Sequence, residues 1–362
     1  MPESSVVVRP EPTDSASYTQ SSRLQAAGLL PAIGRFEQSA QTVPLPVPPQ
    51  PIVIADYGAS TGHNSLLPVG AAIAVLRRRT RHEHAILVVH TDVPENDFTV
   101  LFQTLADDPD SYLAKDAASF ASAVGRSFHQ QILPSNSVTL GWTSWAIQWL
   151  SQVPSPIPDH VQVAYSNDEA VRSAYARQAA EDWQDFVAFR GRELCPGGRL
   201  VALTTAVDGA GESGFRPLLD GILAVLHDLA DEGVLSGDEV RRMSIPMVGR
   251  SEEEFLAPFA PSGKFEGLSI EHLEVFNAPD RFWAQFQVDR DGAAFGAKWA
   301  AFLRASVFPT LAAALDGGSD DPRSAQFVER LEAGVATRLA SGPEQIQIPL
   351  AILVMVKRGQ SH

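Results

Sequence analysis

Between Asp56 and Gly62 the chain reads Asp-Tyr-Gly-Ala-Ser-Thr-Gly, and a further carboxylate, Asp92, follows thirty residues later. Two chemistries are open to such a turn. Read as Gly58-x-Ser60-x-Gly62, it has the form of the nucleophile elbow of a serine hydrolase. Against that reading, no His-Gly-Gly-Gly segment precedes it, and the only histidines after His227 are His272 and His362, neither in an evident catalytic loop. Read instead as a strand–turn–helix junction, it turns backbone N–H groups and a helix N-terminus toward a ligand at the carboxyl edge of a sheet. The spacing is not the Gly-x-Gly-x-x-Gly of dinucleotide enzymes, so a group smaller than a pyrophosphate, such as an amino-acid carboxylate, fits better. Asp92 either caps the turn at Pro94 or accepts hydrogen bonds from two vicinal ribose hydroxyls. In the second case the ligand carries adenosine without an essential pyrophosphate, which describes S-adenosylmethionine. Tyr18, Ser22 and Gln25 are spaced four and three apart, hence on one helical face, and Trp145 and Trp149 are likewise four apart, so that two faces close on one pocket. The tryptophan pair is either pocket wall or ordinary core.

The elements that hold these residues follow from punctuation and periodicity. Ser17-x-x-Gln20 has capping-box form and starts a helix, and five prolines from Pro44 to Pro51 make an extended linker. Ile52–Ala55 is then a strand, the run from Asn64 to about Leu76 a helix, and Ala85–His90 a second buried strand. That completes a strand–helix–strand unit and predicts a parallel α/β sheet. Val138–Gly141 and Arg199–Thr205 are further strands, with a long helix over Asp168–Leu194 between them. Beyond Ala206 the pattern shortens to helical stretches such as Leu218–Leu229 and Glu252–Phe259. Two closing strands are expected near Ala278–Val288 and Gln345–Lys357. The resulting division is a mobile N-terminus over 1–16, an α/β domain over 17–205 and 278–362, and a helical cap over 206–277, reaching to about 299.

Composition narrows the partners. With 43 acidic against 28 basic side chains the formal charge is −15, which repels phosphate backbones and anionic lipid, so nucleic acid is excluded. No apolar stretch is long enough for membrane insertion. The single Cys195, the lack of Cys/His clusters at metal-ligand spacing and the absence of an apolar signal core point to a cytoplasmic protein with no metal. Arginine outnumbers lysine 24 to 4, in keeping with high-GC bacterial coding sequence.

Several segments in order resemble the SABATH family of S-adenosylmethionine-dependent carboxyl methyltransferases, which act on salicylate, benzoate, jasmonate and related acids. Ile54 to Asn64 is similar to the family's first motif, Asp92-Val93-Pro94-Glu95-Asn96-Asp97-Phe98 to its second, and Gly125-Arg126-Ser127-Phe128 with Leu133-Pro134-Ser135-Asn136-Ser137 to the next. Trp149-Leu150-Ser151-Gln152-Val153-Pro154 is nearly the family's wording. The resemblance implies a Rossmann-like class I methyltransferase sheet with an inserted helical cap. It implies S-adenosylmethionine as cofactor, S-adenosylhomocysteine as product, a small carboxylic acid as substrate, and a homodimer. Ser22, Asp56 and Asn64, with Tyr18, would hold the amino-acid end of the cofactor, Asp92 and Val93 the ribose, and Ser127 and Phe128 the adenine, with Gly58 also a cofactor-binding position. Gln25 and Trp149 would grip the substrate carboxylate, with Trp145 a pocket aromatic and Gln148 where the family often has Met. Thr91, Ala59 and Thr61 also depart from the family's Asn, Cys and Ser, and only Arg9 matches the basic residue expected upstream of Tyr18. Phe255, Phe259, Phe265, Phe276, Phe282 and Trp283 would give the cap an apolar interior, favouring a fatty acid or an aromatic acid. N-methylation, as on xanthines, is the neighbouring chemistry within the family.

Overall fold

Seven strands form one sheet: β1 (Ile52–Tyr57), β2 (Ile86–Asp92), β3 (Ser119–Gly125), β4 (Val138–Ser144), β5 (Leu194–Thr205), β6 (Leu268–Asn277) and β7 (Pro349–Lys357). Their spatial order is β3-β2-β1-β4-β5-β7-β6, with β7 antiparallel to both neighbours and the first five parallel. The computed structural model describes residues 16–359; the side chains of residues 16–28 lie outside the described residues, and so do Arg9 and the expected mobile N-terminus.

Both faces of the central strands are covered, so they read as continuous apolar runs rather than as an alternation. Ile52 and Ile54, Val201 and Leu203, and Ile352 and Val354 face one core; Ala55 and Tyr57, Leu200 and Ala202, and Leu353 and Met355 face the other. The first core is covered by α1 (Ala16–Thr42), α2 (His63–Arg77), α3 (Phe98–Asp107) and the one-turn α4 (Tyr112–Lys115). The second is covered by α5 (Glu169–Glu193) through Trp183, Phe186 and Val187. Local chemistry sets the helix starts: the carboxylates of Asp97 and Asp168 accept N–H groups in the first turns of α3 and α5. Between β5 and β6 lie α6 (Arg216–Asp231), α7 (Gly237–Arg242) and α8 (Glu252–Leu256), the last two opened by capping boxes at Ser236 and Ser251. Between β6 and β7 lie α9 (Arg281–Asp289), α10 (Gly292–Ser306), α11 (Phe308–Ala312) and α12 (Ser324–Ser341).

One expected strand is misplaced. The segment near Ala278–Val288 is the helix α9, capped by Asp280 through Trp283 N–H, and the strand is Leu268–Asn277, inside the span expected for the cap. The physical reason is a bulge between Ile270 and His272, which shifts the parity of Leu268, Ile270, Leu273 and Val275 and hides the two-residue period. β3 was not foreseen because this edge strand of small residues lacks an apolar run. Among the described residues no helix is long and apolar enough to cross a membrane.

Candidate active site

The carboxyl ends of β1 and β4 are where the strand order reverses, and crevices at such points receive ligands in open α/β sheets. A cavity of about 370 Å³ opens there. The glycine turn forms its floor. Gly58 has φ +82°, and a Cβ on it would fall 2.4 Å from the Ala146 Cβ, so the turn and the β4 loop can approach only at glycine. Ser60 also sits in the left-handed region, at φ 49°. Its N–H donates to Asp92 Oδ2 at 2.7 Å and its carbonyl accepts from Asn96 Nδ2 at 3.0 Å. The peptide of Ser60 thus has a structural use, and the buried imidazole on the neighbouring strand, His90, is engaged by Asp56 and Tyr112 instead.

Asp92 lines the cavity with its carboxylate gripped from behind: Val93 N–H donates to Oδ1 at 2.8 Å, complementing the Ser60 bond. Its pKa is pushed up to about 6, because burial and, less so, the charge of Asp56 raise it by more than the two N–H bonds lower it. An ionised carboxyl held this way keeps outward lone pairs, which suits two vicinal hydroxyls. Asn96, which ties this segment to the glycine turn, was not singled out from the sequence, although it stands within the Asp92–Phe98 motif.

Asp56 is not among the residues lining the cavity. It is buried one layer back, its Oδ2 accepting from Ser65 Oγ at 2.5 Å and from His90 Nδ1 at 2.8 Å, and it is Asn64 and Ser65 that form the wall.

Val93, Ser127 and Phe128 line a second side of the cavity. Phe128 packs edge-on against Phe186 at 5.9 Å, while the fully buried Arg190 donates to the carbonyls of Phe128 and Gln130, each at 2.8 Å. Its partner Glu193, 2.8 Å away and equally buried, accepts from Ile132 and Leu133 N–H and from Tyr57 Oη. A buried ion pair is a poor source of net stability, and this one fixes a loop by satisfying its backbone. Neither residue was foreseen; both sit in the last turn of α5, where a cation and an anion usually face solvent. His129 beside Phe128 is held neutral by burial, its pKa below the ordinary value.

The remaining wall is apolar. Trp145 and Trp149 do line the cavity, but not from a helix: Trp145 sits in a bend at φ 57° with its N–H on Leu203 O, and Trp149 pairs with Met247 in an isolated β-bridge. The four-residue spacing is therefore no evidence of a shared helical face. Gln148 also lines the cavity; its Oε1 accepts from Thr204 Oγ1 at 3.2 Å, which leaves the amide N–H groups for a ligand. Phe215, Leu219, Met247 and Phe302 complete this wall, and none was assigned to the pocket from the sequence. The six aromatics expected to do so do not: Phe255 and Phe259 are buried in the core beneath α5, Phe265 packs against that core, Phe276 against the opposite one, and Phe282 and Trp283 among α9 and α10. Tyr18, Ser22 and Gln25 carry side chains outside the described residues.

The sequence model of the family described as SAM-dependent carboxyl methyltransferase matches residues 5–357. The chain belongs to this family. Gibberellic acid methyltransferase 2 of Arabidopsis thaliana is 26% identical to the methyltransferase over 346 residues, covering 90% of this chain and 87% of its own. Indole-3-acetate O-methyltransferase 1 of Oryza sativa subsp. japonica is 30% identical over 314 residues, covering 78% and 75%. A structure of loganic acid methyltransferase with S-adenosylhomocysteine superposes with a TM-score of 0.76 at 21% identity, covering 97% of this chain and 99% of that one, which shows the shared fold. The protein is thus an S-adenosylmethionine-dependent carboxyl methyltransferase with the class I methyltransferase sheet. The cavity fits that cofactor: Asp92 offers a carboxylate whose only hydrogen-bond partners among the described residues are backbone N–H groups behind it.

Proposed function

We propose that the methyltransferase esterifies an apolar monocarboxylic acid, a fatty acid or a small aromatic acid of the benzoate type. The observation that carries this reading is the chemistry of the wall around Trp149. Trp145, Phe215, Leu219, Met247 and Phe302 are apolar or aromatic, the polar groups of the lining include the neutral Gln148 amide and Trp149 indole beside Gln162, Tyr165, Thr205 and Glu254, and the one arginine of the described lining, Arg172, is exposed to solvent. Relatives named for salicylate, indole-3-acetate and gibberellic acid support it, because each of these acids joins one carboxylate to an apolar frame.

When bound, S-adenosylmethionine supplies a methyl group made electrophilic by its sulfonium. A carboxylic acid of ordinary pKa, about 4, is already ionised at neutral pH, so the protein need not provide a general base. Its task is alignment, which is worth up to ~7–11 kcal/mol when reacting groups are held in line. Neutral donors at Trp149, Gln148 and Gln25 orient the carboxylate without pairing its charge, which a lysine would do more strongly in the ground state than in the charge-dispersed transition state. Asp92 and Val93 hold the ribose, Ser127 and Phe128 the adenine, and Tyr18, Ser22, Asn64 and Gly58 the amino-acid end, with Asp56 behind them. A cytosolic homodimer belongs to the same proposal, carried by the family resemblance and the single cysteine.

Incubation with methyl-labelled cofactor and octanoate, benzoate, salicylate or indole-3-acetate is expected to yield a base-labile, organic-extractable ester from at least one of them. Label that is transferred only to a nitrogen, or to none of the four, would remove the proposal. Asp92 gives a second expectation. Its pKa near 6 means that affinity for S-adenosylhomocysteine falls as pH drops through 6, by up to about tenfold per unit. The stability of the free protein moves the other way. A carboxyl whose pKa is raised on folding favours the fold when protonated, and that contribution is lost as pH rises through about 6. Calorimetric titration between pH 5 and 8 checks the first trend and thermal melts the second; a flat affinity profile would detach Asp92 from the cofactor.

A further inference from the structure

A chain of buried hydrogen bonds runs from behind the sheet to the cavity wall through Tyr112, His90, Asp56 and Ser65. Tyr112 Oη lies 2.9 Å from His90 Nε2, His90 Nδ1 lies 2.8 Å from Asp56 Oδ2, and Ser65 Oγ lies 2.5 Å from the same oxygen. All four side chains are at most 3% exposed. The polarity of the chain can be worked out. In the tautomer with Nε2 unprotonated, the Tyr112 hydroxyl, which burial keeps protonated, donates to Nε2. The proton of the imidazole is then on Nδ1 and is donated to Asp56. Ser65, a residue of the cavity wall, spends its only proton on Asp56 as well, so its oxygen is left purely as an acceptor. Among the described residues no lysine or arginine pairs with Asp56. A buried carboxylate held by a hydroxyl and an imidazole, with no guanidinium or ammonium beside it, attracts a cation that completes it.

We propose that the completing cation is the α-ammonium group of the cofactor, that it donates to Ser65 Oγ, and that His90 is a positioning residue that locks Asp56 against Ser65. The assignment rests on the reading that the cofactor occupies this cavity. It adds to that reading a contact residue, Ser65, and two supporting residues, His90 and Tyr112, which come from β2 and α4 rather than from the glycine turn. Asp56 supplies the negative charge from one layer back, and Ser65 relays it to the ligand. Fixing the serine rotamer before binding removes an ordering cost that a freely rotating hydroxyl would meet.

The test compares two ligands by calorimetry: S-adenosylhomocysteine, and the same thioether with its α-amino group absent. Ser65→Ala should weaken S-adenosylhomocysteine about tenfold, the loss of one hydrogen bond to a charged group, while changing the des-amino ligand by less than about twofold. Ser65→Thr, which keeps the hydroxyl, should restore the difference. His90→Leu should reproduce the ligand-selective loss, and His90→Asn, whose amide can still donate to Asp56, should recover most of it. Equal weakening of both ligands by Ser65→Ala, or no weakening of either, overturns the proposal. If His90→Leu fails to fold, the two serine variants decide alone. Failure of the unsubstituted protein to bind S-adenosylhomocysteine would instead overturn the cavity assignment beneath it.

Discussion

Asp92→Ala is expected to raise the dissociation constant for S-adenosylhomocysteine by about a hundredfold or more, with little change in the melting temperature of the free protein. The carboxylate has two oxygens, each already tied to one backbone N–H at 2.7 and 2.8 Å. Those bonds aim its remaining lone pairs into the cavity. Two hydrogen bonds from ribose hydroxyls to an anion are worth about 1.5–3 kcal/mol each, so their joint loss spans two or more decades of affinity. The fold should tolerate the change, because at neutral pH this carboxyl is ionised against its own burial and its removal relieves that cost. Calorimetry measures the first quantity and a thermal melt the second. At saturating cofactor, turnover should return to within a few-fold of the parent, since Asp92 takes no part in aligning the acid; unchanged cofactor affinity would place the ribose elsewhere.

Trp149→Phe is expected to lower kcat/KM for the acid by about 10–150-fold while leaving affinity for S-adenosylhomocysteine unchanged. The substitution removes the indole N–H and keeps an aromatic ring in the cavity wall. The backbone of Trp149 is bridged to Met247, its N–H donates to Ala146 O, and the next N–H, of Leu150, donates to Pro246 O, so the loop does not depend on the indole for its shape. What is lost is one hydrogen bond to a carboxylate, about 1.5–3 kcal/mol, and that range sets the expected factor. Initial rates with the best acid of the panel measure it. A parallel loss of cofactor affinity would mean that Trp149 shapes the whole cavity rather than holding the acid.

The opening unit β1, α2 and β2 was legible because its strands are buried on both faces and its turn is marked by two glycines. Gly58 and Gly62 both adopt positive φ, and that backbone requirement is written directly in the residue type. Asp92 was legible for a similar reason: it ends an apolar strand and precedes Pro94. The tryptophan pair was found by its spacing, but that spacing pointed to a helix where there is a bend and a bridge. β6 was missed because a single bulged residue reverses the side-chain parity on which strand recognition rests.

The apolar wall was the least legible part. Phe255, Phe282 and Trp283 look from composition like pocket residues, yet they fill cores, whereas Phe215 and Leu219 at the start of α6 and Phe302 in α10 reach the cavity from elements far apart in the chain. Nothing in a hydrophobic period says whether an inward face meets another helix or a void. The same holds for His90: on its own strand it is the first of three polar residues after an apolar run, and its role appears only when α4 brings Tyr112 and β1 brings Asp56 within reach.

By itself, then, the order of residues determined the conformation of the glycine turn and its flanking elements, the sheet's polarity there, and the chemical types that meet a charged cofactor, because these depend on φ, capping and burial within a few positions. The tertiary structure alone decided which carboxylate faces the cavity and which lies behind it, and which apolar side chains remain unpacked to form a pocket. Those outcomes depend on distances between segments separated by up to hundreds of residues, which no local pattern encodes.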